Sequence, residues 1–189
     1  DYLKNFGFAN ETTVVTHGIN AKMNEMQAAL GIAQLNHIEE YIGKRKNIAE
    51  LYKEKLANIE GISCLPVRQG LTYNYPYFPV FVDEESYGIS RDELYNRLKD
   101  KNIHGRRYFY PLISHFPPYR GLASANPANL PVAEEIAQKV ICLPIYPDLP
   151  IECVQQIVSY IKYFHVSRLT DYREKVMTNE KENPVKNPR

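Results

Sequence analysis

The chain has 189 residues, 44% of them hydrophobic, which suits one ordinary domain with a real core or slightly more. Its 23 basic and 22 acidic residues nearly cancel, arguing against a nucleic-acid or anionic-membrane partner drawn in by long-range attraction. No apolar run approaches the roughly 20 residues of a membrane helix, and no signal peptide is visible. Cys64, Cys142 and Cys153 form no CxxC pair and the five histidines show no metal-ligand spacing, so the cysteines read as reduced thiols of a cytosolic protein. Fifteen tyrosines stand against no tryptophan, and an apolar ring with a polar tip suits clefts and interfaces as well as cores.

The first residues, Asp1 to Thr13, read like the middle of something longer, so a fragment of a larger protein is expected. Residues 1–22 are polar and loop-like, with Gly7 and Gly18 as breakers. From Met23 to Ile59 apolar residues recur at three- and four-residue steps, through Met26, Leu30, Ile38, Ile42, Ile48, Tyr52 and Leu56, which predicts one long helix. Asn24 is placed to cap it, Gly43 is the expected point of a bend, and Gly61 ends it.

Residues 73–82 are aromatic and β-branched, but Pro76 and Pro79 demote them to an edge or irregular strand. Ser90, Arg91, Asp92 and Glu93 form a capping-box sequence that opens a helix to Asp100. Asn102 to Tyr108 reads as a further strand. Residues 110–129 are a long proline-rich loop, a length usually reserved for function or disorder. Asn129 and Pro131 start a helix through Val140, Ile141 to Ile145 reads as a buried strand, and a last helix reaches His165. Ser167 to Arg189 has few apolar residues and two Asn-Pro pairs, and is expected to be a flexible tail. The order gives a small α/β domain with helices on a short sheet.

Two segments carry candidate chemistry. In the first, Asn20 and Lys22 precede a helix start, where side-chain donors and free N–H groups suit an anion such as a phosphate. A capped helix with a solvated lysine has the same sequence pattern. In the second, Arg106 and Arg107 lead into Tyr108, Tyr110 and a long loop holding His115 and Tyr119. A guanidinium and aromatic faces suit a diphosphate and a ring. Strand alternation sends the two arginines to opposite faces, so one of them would meet a ligand. The competing reading is a surface ion pair beneath a packed aromatic loop. No serine or cysteine has a visible base partner, so no hydrolase arrangement appears.

The run Asn5-Phe6-Gly7, followed by Gly18-Ile19-Asn20-Ala21-Lys22-Met23-Asn24-Glu25-Met26-Gln27-Ala28-Ala29-Leu30-Gly31, resembles the DegT/DnrJ/EryC1/StrS family of aminotransferases. The resemblance continues through Pro76-Tyr77-Phe78, Arg106 to Leu112, Leu130 to Glu134 and Cys142 to Pro147, and covers about residues 1–165. The arginine-rich loop is most similar to the branch acting on dTDP-linked 4-keto-6-deoxy sugars.

That resemblance implies a fold-type I pyridoxal-phosphate enzyme working as a cytoplasmic homodimer. Glutamate would give its amino group to a nucleotide-linked keto-deoxysugar. It implies that 1–60 closes a large domain and forms the interdomain helix, that 61–166 is the C-terminal small α/β domain, and that 167–189 is the tail. The lysine that carries the cofactor is expected upstream of Asp1, and Lys4 does not match its motif, so no catalytic residue is assigned here. By position in the motif, Asn20 and Lys22 are the expected contacts to the cofactor phosphate across a dimer interface. Most relatives have arginine at Lys22, and lysine keeps the charge without the bidentate fork. Arg107, Tyr108, Tyr110 and His115 are the expected substrate contacts, although Ser114 stands where many relatives place the histidine. Two other readings are a dehydratase of the same fold, with histidine for the lysine, and a non-catalytic dimerisation remnant.

Overall fold

A computed structural model describes residues 2–10, 12–66, 68 and 70–165. The expected tail from Ser167 lies outside the described residues. The chain divides into two compact units between Tyr41 and Ile42, inside a helix.

In the first unit a short 3₁₀ turn, Tyr2–Lys4, leads into a looped segment closed by bridges between Asn5 and Asn20 and between Phe8 and Val14. Helix α1, Glu25–Leu35, starts on a reciprocal capping box. The Asn24 side chain accepts from the Gln27 N–H at 2.9 Å, and the Asn24 N–H donates to the Gln27 side chain at 3.3 Å. The helix buries none of its residues, and Met26, Leu30, Ile32 and Leu35 are all exposed.

The single long helix expected from the apolar spacing is two helices, and the break falls at Asn36–His37 instead of Gly43. There the His37 N–H donates to the Gln34 carbonyl, three residues back, so α1 tightens and stops. Helix α2, Ile38–Leu56, runs straight through Gly43. A glycine costs about 1 kcal/mol in a helix, which a 19-residue helix with a packed end tolerates.

The second unit is built on a three-stranded antiparallel sheet of β1, Ile62–Cys64, β2, Phe78–Val82, and β3, Val140–Leu143, in the order β1-β2-β3. Helices α3, Glu84–Tyr87, α4, Arg91–Asp100, and α5, Pro131–Lys139, and a last helix α6 over 151–165, complete it. Apolar positions of α2, α4 and α6 form the core with β2 and β3. Tyr52, Val80, Leu94, Leu98, Ile141 and Ile161 are fully buried, and each such side chain contributes about 1.5–3 kcal/mol on leaving water. Tyr52 stacks on Phe78 with ring centroids 4.9 Å apart and donates to the Pro144 carbonyl at 3.1 Å.

β2 is the central strand, which corrects the expectation of an edge. Pro79 pairs with Cys142, whose own N–H and carbonyl both bond Arg106, so the Pro79–Cys142 pair exchanges no hydrogen bonds. Pro79's missing N–H therefore faces the β1 side, one residue beyond the last paired position, Cys64 opposite Val80. No sheet hydrogen bond is lost.

Two further expectations give way. Asn102 to Tyr108 is not a strand: Asn102 has φ +59°, the only sheet pairing is a bridge from Arg106 to Cys142, and the chain turns away when the Tyr110 N–H bonds the Arg107 carbonyl. Gly105 permits the bridge, since a Cβ there would sit 3.1 Å from the Cys142 carbonyl oxygen. β1 and α3 are not legible as periodic segments. Gly61, just before β1, lies against Tyr87 of α3 at φ +74°, where a Cβ would collide with the Tyr87 backbone. Ser90 caps α4, its Oγ accepting from the Glu93 N–H, while the Glu93 carboxylate accepts from Arg97 instead of closing the box.

Candidate functional site

The two adjacent arginines engage different partners, Arg106 the Tyr108 hydroxyl and Arg107 the Asp92 carboxylate. Arg106 is fixed by its two backbone bonds to Cys142, at 2.9 and 2.7 Å. Its Nη1 donates to the Tyr108 hydroxyl, and Tyr108 meets Tyr77 edge to face at 5.1 Å. Arg106, Tyr108, Tyr77, His104 and Tyr146 line a cavity of about 460 Å³.

Arg107 turns towards the first turn of α4. Its Nη1 donates to Asp92 Oδ1 at 2.7 Å, and its guanidinium lies 4.6 Å from the Tyr95 ring and 5.3 Å from the Tyr110 ring. Beneath it Arg91, 2% exposed, donates to the Val140 carbonyl at 2.8 Å and places its Nε 2.8 Å from the same Asp92 oxygen. The Tyr110 ring is also 4.7 Å from the Arg91 guanidinium, so this tyrosine serves both arginines. Burial, with Arg107 alongside, pulls the Arg91 guanidinium below its ordinary range, and Asp92 opposes this.

His115 sits in a short turn, Ile113–His115, and its Nε2 is 2.7 Å from Glu134 Oε1 on α5. The long loop is thereby tied to the helix, and two more 3₁₀ turns, Ala123–Ala125 and Pro127–Asn129, order the rest of it. Sequence reasoning did not find Arg91 or Asp92 as partners of the loop. The capping box marks them only as a helix start, and no local spacing links Asp92 to an arginine 15 residues away.

Asn20 and Lys22 are in the first unit, both exposed. Backbone bonds hold the segment: Phe6 N–H to the Ile19 carbonyl and Ala21 N–H to the Lys4 carbonyl, at 3.2 and 3.0 Å. The expected free N–H groups at the helix start are partly taken, because the capping box satisfies those of Asn24 and Gln27. The donors left for an anion are chiefly the two side chains, and as exposed donors they fit a phosphate approaching from outside the unit.

Burial raises the Cys64 and Cys142 thiols above their ordinary range, so neither has the character of a nucleophile. Among the described residues no group of His, Cys, Asp or Glu is placed to hold a metal, and no helix is long and apolar enough to cross a membrane.

The signature of the DegT/DnrJ/EryC1/StrS aminotransferase family matches residues 1–162. The chain belongs to this family. Like other members, it shares its fold with solved aminotransferases. It superposes on DesI, solved with its TDP-sugar product, with a TM-score of 0.78 at 30% identity, over 92% of this chain and 44% of that one. For S. venezuelae DesV the TM-score is 0.75 at 28% identity, over 87% and 42%. This is the C-terminal small domain of fold-type I pyridoxal-phosphate enzymes, a short sheet with flanking helices.

Among curated family members, the chain is 50% identical over 161 residues to the dTDP-4-amino-4,6-dideoxy-D-glucose transaminase of Escherichia coli, covering 85% of this chain and 43% of that protein. It is 42% identical to the enzyme of the same name from Shigella dysenteriae, over 86% and 43%. The chain thus spans less than half the length of these relatives.

Proposed function

We propose that the complete protein is a cytoplasmic, homodimeric, pyridoxal-phosphate-dependent transaminase that moves the amino group of glutamate onto a dTDP-linked keto-deoxysugar. The 50% identity to an enzyme named for that class of product, within a family match over residues 1–162, carries the proposal. Pyridoxal phosphate, when bound, supplies the electron sink through which an amino group can leave one carbon and join another.

The residues of this chain have supporting parts. Asn20 and Lys22 hold the cofactor phosphate of a neighbouring subunit, which their exposure and lack of a capping duty favour. The exposed apolar residues of α1 and its surroundings supply surface for the rest of the protein and for a second copy.

On the substrate side the two arginines divide the work. Arg106 and Tyr108, at the wall of a cavity, meet the diphosphate directly. Arg107 and Tyr110, held by Asp92 and Arg91, brace the loop and complete the positive field. His115, paired to Glu134, sets the loop's position against α5.

The test is the complete enzyme, supplied with pyridoxal phosphate, glutamate and dTDP-4-keto-6-deoxyglucose. One amino-sugar and one 2-oxoglutarate should form per turnover. A dehydrated sugar without nitrogen would overturn the reading. This chain alone, mixed with the cofactor and reduced with borohydride, should show no single lysine labelled stoichiometrically.

A further inference from the structure

A second cavity, of about 390 Å³, lies entirely within the second unit and shares Tyr77 with the site described above. Ala49 and Lys53 of α2 and Phe78 and Pro79 of β2 form one side of it. Tyr73, Tyr75 and Tyr77 form another, with Leu65, Leu71 and Arg68 at the remainder. We infer that this cavity takes the nucleoside end of the nucleotide-sugar. The assignment rests on the proposed substrate class and says where its aromatic part sits.

Three observations support it. The first is composition. The lining is aromatic and aliphatic with two cations and no acid, and neither Lys53 nor Arg68 is ion-paired among the described residues. Flat aromatic faces suit a planar base and the two cations suit the phosphates attached to it, while a sugar ring would find few of the polar partners its hydroxyls need.

The second is rigidity. The tyrosine segment is tied to α2 by a bond from Arg45 Nε to the Asn74 carbonyl at 3.0 Å. Tyr73 and Tyr75 meet edge to face at 5.0 Å, and Tyr75 packs against the core. Tyr75 also has φ +50°, a conformation a bulky residue keeps only where its surroundings fix it. A wall held this way is ready to receive a ring without first being ordered.

The third is position. Tyr77 lines this cavity and also the one that contains Arg106 and Tyr108. A ligand whose base lies among the tyrosines would therefore have Lys53 and Arg68 beside it, with Arg106 on the far side of Tyr77. A nucleoside diphosphate joined to a sugar is a ligand that needs both.

Leu71 is exposed and lines the cavity, and the chain has no tryptophan, so Leu71→Trp gives the full chain a single reporter there. Thymidine diphosphate should change that emission saturably. Lys53→Gln with Arg68→Gln should raise the dissociation constant tenfold or more, and Lys53→Arg with Arg68→Lys should restore it. Inorganic pyrophosphate, which lacks the ring, should bind at least tenfold more weakly. Circular dichroism would confirm that each variant is folded. The inference is overturned if no nucleotide binds, if calorimetry reads binding while the emission stays flat, if the glutamine pair binds as tightly, or if pyrophosphate binds equally well. In the complete enzyme, an unchanged KM for the glutamine pair would sink the cavity assignment and leave the transaminase reading intact. Failure of the unaltered enzyme to aminate would sink the latter alone.

Discussion

Asp92 and Arg107 are bound side chain to side chain at 2.7 Å, so the arginine at the turn into the long loop answers to the start of α4 before it answers to any ligand. The same oxygen lies 2.8 Å from Arg91 Nε, and Arg91 Nη2 has no hydrogen-bond partner among the described residues. Asp92→Asn would leave two guanidiniums, one of them buried, without their carboxylate. A loss of about 1–3 kcal/mol is expected, less than for a fully buried pair because Asp92 is half exposed. Urea unfolding of the chain measures it. Adding Arg91→Met should recover part of the loss, since an apolar side chain then fills the buried space.

The division between the arginines is tested kinetically in the complete enzyme. Arg106→Gln should raise KM for the nucleotide-sugar by roughly ten- to a hundredfold, the worth of a hydrogen bond to a charged group. The half-reaction with glutamate, which involves no diphosphate, should be nearly unchanged. Arg107→Gln should act mainly on stability. If Arg107→Gln carries the KM defect and Arg106→Gln is silent, the roles are reversed. If both are silent, the loop is structural.

Two buried tyrosines set an alkaline limit. Tyr52 and Tyr87 donate to the Pro144 and Ile161 carbonyls, and burial pushes both hydroxyls well above their ordinary 10.0. The folded state therefore holds these protons more tightly than the unfolded state. The stability they contribute is complete below about pH 10 and falls as the pH rises above it. Titration by tyrosinate absorbance alongside circular dichroism should show two groups ionising only as the chain unfolds. Tyr87→Phe should remove one of them and cost about 1 kcal/mol at neutral pH. Ionisation of all tyrosines before any loss of structure would contradict this.

Asn20→Ala with Lys22→Ala should weaken cofactor retention in the complete enzyme without unfolding it, because both side chains are exposed. Dialysis followed by the cofactor's absorbance gives the measure. Lys22→Arg, which adds the bidentate fork, should tighten retention. Equal retention by the double variant would show that the segment holds no phosphate.

The sequence was most readable where one local rule acted alone. The caps at Asn24 and Ser90, the proline start of α5 and the buried run of β3 all appear within a residue or two of their expected places. It was least readable where partners decide. Pro79 marks an edge strand only if its missing N–H must face a neighbour, and the register here turns it past the end of β1. Three-residue β1 has too few positions to show a period. Arg106 and Arg107 are alike in sequence, and only the positions of Asp92 and Cys142 say which of them is engaged.

Pro79 also has a consequence for how this domain can vary. Were β1 to continue to Leu65, that residue would need an amide proton from Pro79, and none exists. Zippering of the hairpin therefore stops at Cys64, and the chain must leave the sheet there and return at Phe78. The intervening stretch, which carries most of the tyrosine cavity, is released from the register of the strands. Its length and composition can drift among family members without disturbing the ladder, so one imino acid separates what the domain needs to fold from what it is free to recognise.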